Sequence, residues 1–517
     1  TRQRQLLFES LEHRWLLASN LRATDAFLRD GLGNAVSSPV LGERIAVQVN
    51  YETEDLPSNA QHRIDFIVDG VTLDSGTLTT GAGLSSGNWI RWRSGWYAEP
   101  GTHTVEVVLD AGGTVTESDE TDNVLTFSFT SVRGTPPSNF IWPVEGSLFV
   151  DHTISNYVDV DPLSGIRDFN GGVIAYDGHD ALDISTGNFA TMDSGIEIYA
   201  AADGVVSEVH DGEFDRWFEW TDPSPDANYV IVDHGSGWRT LYWHLRRDSV
   251  NVSVGDQVEA GDLLGLMGSS GRSTITHLHF EVQHNFRPVE TMFDPTTYWL
   301  NPPRYVMDRT EFMFSGVTNH YPVPHRIERP SDVDVYSDTS NQTFRAWVMV
   351  SGLEQSDTLR YTSFRPNGSV FATGSVSPTR DYGRSRWSFE RTLPASPDIG
   401  TWRIEFKVND QFIGEDSFEV TADGAPEIRI DDVNGDIVLD GRHTPIDLGT
   451  VGQGATRPSM TFNVINHGSD ELMLGPISVP DGFIISEGVG TSLAVGASDS
   501  FTIELATDTP GFFAGQV

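Results

Sequence analysis

Apolar and polar residues alternate in short runs along most of this chain. Ile64 to Gly70 reads IDFIVDG, a strand closing on a turn. Gly101 to Asp110 reads GTHTVEVVLD, in which Val105 and Val107 share one face. Val124 to Phe129, Gly400 to Val408 (GTWRIEFKV), Asp416 to Val420 and Met460 to Ile465 repeat the pattern. A period of two, broken by Gly, Asn, Asp and Pro, predicts β-strands joined by tight turns. Helical spacing is scarce beyond the first thirty residues. It is clearest at the start, where Leu7, Leu11 and Trp15 recur every four positions in RQRQLLFESLEHRWLLA. The predicted fold class is therefore mostly β.

Three Pro/Gly-rich joints interrupt the strands: Arg133 to Ser138 (RGTPPS), Leu300 to Arg304 (LNPPR) and Thr421 to Glu427 (TADGAPE). They divide 517 residues into four pieces after a short N-terminal element, as a prior of roughly 150 residues per domain suggests. The expected bounds are 1–18, 19–132, 139–303, 304–421 and 425–517. The chain stops at Gln516-Val517 without a terminating feature, so the natural protein is expected to continue and the last piece to be truncated.

Composition narrows the function classes. The formal net charge is -41, which opposes binding to nucleic acid or to an anionic membrane. No run of apolar residues is long enough to span a bilayer. There is no cysteine, so any metal must be held by His, Asp or Glu. Glu117, Asp119, Glu120 and Asp122 in TESDETDN are a candidate calcium set, although a solvated hairpin tip is the simpler reading. Asp432-Val433-Asn434-Gly435-Asp436 mimics the start of a calcium loop but lacks the later Glu, and reads better as a hairpin turn.

The piece from 139 to 303 holds the chemistry. Three motifs stand in order: Gly178-His179-Asp180-Ala181-Leu182-Asp183-Ile184, Thr240-Leu241-Tyr242-Trp243-His244-Leu245, and Thr276-His277-Leu278-His279-Phe280-Glu281-Val282. In a strand, residues two apart face the same way. His277 and His279 therefore project together, as do Tyr242 and His244. An extended segment would place His179 and Asp183 on one side. Four imidazoles and a carboxylate thus converge. Two His and one carboxylate make a hydrolytic zinc set with a position left for water, and two further imidazoles remain for acid/base work. A lone His-x-His is more often surface or core filler. The ordered set of three is far more specific. There is no HExxH, GxSxG or Cys, which disfavours zincin, common esterase and thiol chemistry.

Around these motifs, Ile198 to Val206 reads IYAAADGVV, His234 to Leu245 HGSGWRTLYWHL, Val254 to Asp262 VGDQVEAGD, and Gly268 to Phe280 GSSGRSTITHLHF. The segment resembles the M23 (lysostaphin/LytM) zinc metallopeptidases. That resemblance implies an antiparallel β-sheet domain that cuts peptide bonds in peptidoglycan. It implies His179, Asp183 and His279 as zinc ligands and His244 and His277 as catalytic histidines. Glu281 would orient a ligand from behind, or else be an exposed strand carboxylate. His234, His152, His210 and His284 lack a partner motif and are expected to be structural. Ala181 stands where the family has Gly. The long connection Asp211 to Asn228 offers Trp217, Phe218 and Trp220 as a groove wall or as packing against a neighbouring domain. The polar stretch Asn156 to Gly172 is expected to order near the site or to cover it.

The flanking pieces carry weaker resemblances. The "DG" turn, GTHTVEVVLD and ESDETDN of piece 19–132 resemble CARDB modules of bacterial surface proteins. Piece 304–421 reads as an immunoglobulin-like β-sandwich, and IDLGTV…FNVINHGSDELML in the last piece resembles ASH/HYDIN-type domains. The N-terminal element resembles one found in exported bacterial proteins. Together these imply a secreted or cell-surface zinc endopeptidase acting on cell-wall cross-links between β-sandwich modules. The rival readings are a non-catalytic M23-like wall-binding protein and an adhesive surface protein.

Overall fold

Alternating apolar residues can bury one face of a strand only against a second layer, and the chain meets this demand four times. The computed structural model describes residues 19–56, 59–80, 83–91, 96–218, 223–318, 335–338, 342–422, 426–433, 438, 446, 448–449, 451–466, 468, 470–511, 513, 515 and 517. The amphipathic N-terminal element, Trp220 and the Asn434–Asp436 half of the Asp-rich turn lie outside the described residues. The mostly β expectation holds. The α-helices among the described residues are short, at Phe189–Asp193 and Pro295–Tyr298, and none is long and apolar enough to cross a membrane.

Near the N-terminus two four-stranded sheets face each other. One runs in the order Ala35–Val36, Asn20–Arg29, Ala46–Leu56, Gly83–Arg91. The other runs Val71–Thr80, Ala60–Val68, Thr102–Val108, Val124–Thr130. Val47, Val49, Ile64, Phe66, Val105 and Val107 fill the space between them. A later sandwich pairs the sheet Glu311–Thr318, Thr343–Leu353, Tyr382–Thr392 with a five-stranded sheet centred on Gly400–Val408. Trp402, Ile404, Phe406, Phe344 and Val348 form its core. The last sheet is built on Ser459–Asn466 and Ser498–Leu505 around Phe462 and Phe501.

The central sheet positions the site. Its order is Gln257–Val258, Gly204–His210, Tyr229–Gly235, Trp238–Trp243, His277–His284, Leu182–Ser185, Thr153–Asn156, and every pairing is antiparallel. Leu278, Phe280 and Val282 alternate into the core beside Leu182, Ile184, Tyr242 and Trp238. Each such buried side chain contributes roughly 1.5–3 kcal/mol. A one-residue slip would expose all of them, so this burial pins the register that puts His277, His279 and Glu281 on the opposite face.

Neighbouring sandwiches close on this sheet. Arg44 Nη1 of the first donates to both oxygens of Asp180, at 2.8 and 2.6 Å, and Tyr97 Oη donates to the same carboxylate at 2.7 Å. Arg44 N bonds Pro288 O at 2.9 Å, and Glu290 N bonds Gly42 O at 2.7 Å. Gly42 holds φ +83°, and a Cβ there would lie 2.3 Å from Glu290 O, so only glycine allows this approach. At TESDETDN the carboxylates serve the fold. Asp119 caps Thr121 N at 2.9 Å, Glu120 accepts from Glu117 N at 3.0 Å, Glu117 accepts from Leu21 N and from Asn123 at 2.9 Å, and Asp122 accepts from Asn20 at 3.0 Å.

Candidate metal centre

Register alone brings Asp183 of the first motif beside the third, and the second motif beside the third from the other side. Asp183 pairs with His279 and Ser185 with His277, while Trp243 flanks His279 from the other side. His179 arrives differently. It lies in the turn before the Leu182–Ser185 strand, not in an extended run with Asp183. Gly178, at φ +76°, turns the chain so that His179 Nε2 reaches Asp183 Oδ1 at 3.0 Å. His279 Nδ1 lies 3.2 Å from the same oxygen and 3.3 Å from His179 Nε2. These three atoms therefore mark a triangle with edges of 3.0, 3.2 and 3.3 Å. Tetrahedral ligands about 2.0–2.1 Å from one ion are separated by about 3.3 Å, so the donor set fits a divalent metal.

His179 Nδ1–H donates to Tyr157 O at 2.7 Å, which leaves Nε2 as its free lone pair. Asn156 Nδ2 donates to Asp183 Oδ2 at 3.0 Å and orients the other oxygen toward the triangle. The polar stretch after Asn156 is thus ordered at the site. Tyr176 stacks on His179 with ring centroids 4.3 Å apart. Burial pushes the Asp183 carboxyl up, but the His179 and His277 imidazoles outweigh it and hold the group well below the usual carboxylate range.

His244 and His277 form a second pair, with ring centroids 4.6 Å apart, and both approach His279. His244 Nδ1–H donates to Ser270 O at 2.6 Å and His277 Nδ1–H to Ile275 O at 2.7 Å. In each ring Nε2 is left as an acceptor. His277 Nε2 lies 3.5 Å from Asp183 Oδ1. Burial lowers the pKa of both rings, with neighbouring imidazoles adding to the effect at His244. Both are neutral bases near pH 7.

Tyr242 and His244 do not share a face, contrary to the period-two expectation. Tyr242 points into the core, packing on Phe280 and accepting from Ala201 N at 2.7 Å. The strand ends at Trp243, and His244 adopts φ +67°, which breaks the alternation and swings its ring to the site face. Glu281 is buried rather than exposed. Gln283 donates to it at 2.6 Å, and burial raises its pKa. Ala181, in place of glycine, is also buried.

Trp217 and Phe218 pack within this domain. Phe218 joins Phe189, Met192 and Ile275, while Trp217 N donates to Ser269 O and Ser269 Oγ donates back to Trp217 O, so the long connection braces the loop that carries the carbonyl partners of His244 and His277. His234 bonds Asp203 O and Thr240 Oγ1, His152 accepts from Trp142 Nε1, and His284 faces Glu43. His210 does find partners, since its ring gathers with Glu213 and Asp226 near the surface. Asn156, Tyr157, Tyr176, Ser270 and Ile275 had no sequence signal of their own. Three of them act through backbone carbonyls, which any residue supplies.

Residues 179–291 match the model of peptidase family M23. The chain carries an M23 domain. Residues 36–127 match the CARDB model. The M23 domain is similar to the peptidoglycan DD-endopeptidase ShyA of Vibrio cholerae, with 34% identity over 20% of this chain and 20% of that protein. It is also similar to the glycyl-glycine endopeptidase ALE-1 of Staphylococcus capitis, with 33% identity over 21% of this chain and 26% of that protein. The chain thus spans a fifth to a quarter of the length of these relatives. Among solved structures, the catalytic domain of lysostaphin from Staphylococcus simulans is 24% identical, with 29% of this chain and 92% of that one covered and a TM-score of 0.19.

Proposed function

We propose that this protein is a zinc-dependent endopeptidase that hydrolyses peptide cross-links of cell-wall peptidoglycan, outside the cytoplasm. The observation that carries the reading is the triangle of His179, Asp183 and His279 with two neutral imidazoles beside it. With no thiolate available, two imidazoles and one carboxylate with an open position suit a hydrolytic zinc site. When bound there, the ion supplies Lewis acidity to the scissile carbonyl and makes a water acidic near pH 7.

The chain's own residues do the rest. His244 and His277 each present Nε2 toward the site, with Nδ1–H tied to a carbonyl. One of them takes the proton of the attacking water on Nε2, and the imidazolium so formed donates that Nε2–H to the oxyanion of the tetrahedral intermediate. The proton then passes from imidazole to the leaving amine. Asn156 and Tyr157 hold Asp183 and His179 in place. Names of similar proteins point the same way, as peptidoglycan and glycyl-glycine endopeptidases.

The test joins elemental analysis to a turbidity assay on purified cell walls. About one zinc per chain, lost in His179→Ala and Asp183→Ala together with wall clearing, is the expected outcome. Clearing that persists in metal-free His179→Ala protein would refute the assignment.

A further inference from the structure

The sandwich that follows the M23 domain reaches into its site. The Tyr382–Thr392 strand lies against Thr153–Asn156, and a Cβ on Gly383 would sit 2.7 Å from Ile174 Cγ2 and 3.1 Å from Ser155 O. This close approach delivers the next residue, Arg384. Its Nη1 donates to Ser185 Oγ at 2.9 Å. Ser185 stands two residues from Asp183 on the same strand face and pairs in register with His277. Gly187 leaves room for the guanidinium, since a Cβ there would meet Arg384 Nη1 at 3.4 Å and Phe314 at 3.3 Å.

A guanidinium carries five N–H donors. Among the described residues, Ser185 Oγ is the one hydrogen-bond partner of Arg384, and the Asp183 carboxylate acts on it through space without a direct ion pair. Burial lowers its pKa to about 10, so it remains a cation at neutral pH. A largely desolvated cation whose one nearby carboxylate, Asp183, is committed to the triangle with His179 and His279 is costly to keep. The cost is offset when a ligand brings the anion. The chain as a whole, at formal net charge -41, repels acidic ligands, so a local cation is what an anionic substrate needs.

We propose that Arg384 is a specificity residue of the M23 site. It pairs with a free carboxylate carried by the peptide within one or two residues of the scissile bond, and so selects carboxylate-bearing cross-links over uncharged glycyl bridges. The planar fork of arginine matches a carboxylate in two parallel bonds. This inference rests on the peptidase reading above for the identity of the site, and it assigns one substrate contact to a different module of the chain.

The experiment uses the full chain and two fluorescent cross-linked peptides. One has a free carboxylate beside the scissile amide, and the other has the matching carboxamide. Affinity is read by anisotropy and turnover by chromatography, with thermal melting and metal content as controls on each variant. The parent protein should bind the acid at least tenfold more tightly than the amide. Arg384→Gln should weaken only the acid, bringing the two affinities together, and Arg384→Lys should recover part of the preference. Equal binding of acid and amide by the parent, no binding of either, or equal weakening of both in Arg384→Gln would overturn the proposal. Binding needs no turnover, so acid-selective binding without cleavage would uphold Arg384 and sink the peptidase reading. Cleavage without acid preference would do the reverse.

Discussion

Glu290 offers a quantitative check on how the first sandwich and the M23 domain are joined. Its side chain is completely buried beneath the Gly42 loop. Oε1 accepts from Met292 N at 2.6 Å and Oε2 has no partner. Burial raises its pKa from 4.5 to about 8. The folded protein therefore keeps a proton that the unfolded chain releases above pH 4.5. Where the native state binds more protons than the unfolded state, stability falls as pH rises. The loss runs from the unfolded value of 4.5 up to the folded value near 8 and then levels off. At about 1.36 kcal/mol per unit, the charge on Glu290 costs about 1 kcal/mol at pH 5 and about 3 kcal/mol at pH 7. Glu290→Gln removes the titration and keeps an oxygen for Met292 N. The variant should therefore gain about 2 kcal/mol on the parent between pH 5 and pH 7. At 2–4 °C per kcal/mol for a domain of this size, that is roughly 4–8 °C in Tm. Differential scanning calorimetry of both proteins at the two pH values measures it. Taking the change in the gap cancels whatever glutamine itself does to packing. A gap that stays the same at both pH values would refute the reasoning.

Other expectations concern the site. His244→Ala and His277→Ala should each lower kcat about 10²–10⁴-fold while elemental analysis still finds the metal. Loss of the metal in either would place that residue among the ligands. Because burial lowers the pKa of both rings below 6.5, they keep their acceptor lone pairs as pH falls through that value. The acidic limb of kcat/KM should therefore lie below pH 6.5, and a limb centred at or above it would contradict the lowering by burial. Asn156→Ala removes the bond to Asp183 Oδ2 and should weaken metal affinity about 10–100-fold, read by competition with a chelating dye.

How much of this was legible in advance differs from residue to residue. His277 and His279 announced their shared face because a strand's period of two survives in the fold. Tyr242 and His244 carried the same spacing and broke the rule, since a single positive φ at His244 reverses where the ring points. Glu281 looked like a solvent-facing strand residue, because nothing local shows that the first sandwich covers that side of the sheet with Arg44 and Tyr97.

The amino-acid sequence by itself determined the β class and the exclusion of thiolate ligands, and marked His179, Asp183, His244, His277 and His279 as candidates for one site. The first two follow from periodicity and composition, which are local properties, and the candidates from three motifs in order and their resemblance to the M23 family. The tertiary structure alone decided which nitrogen of each ring is free, that Asn156 and the carbonyls of Tyr157, Ser270 and Ile275 orient the site, and that Arg384 arrives from about 200 positions away along the chain. Those contacts join distant segments. They are set by how sheets pack and register, and a backbone carbonyl or a lone arginine leaves no mark in a sequence pattern.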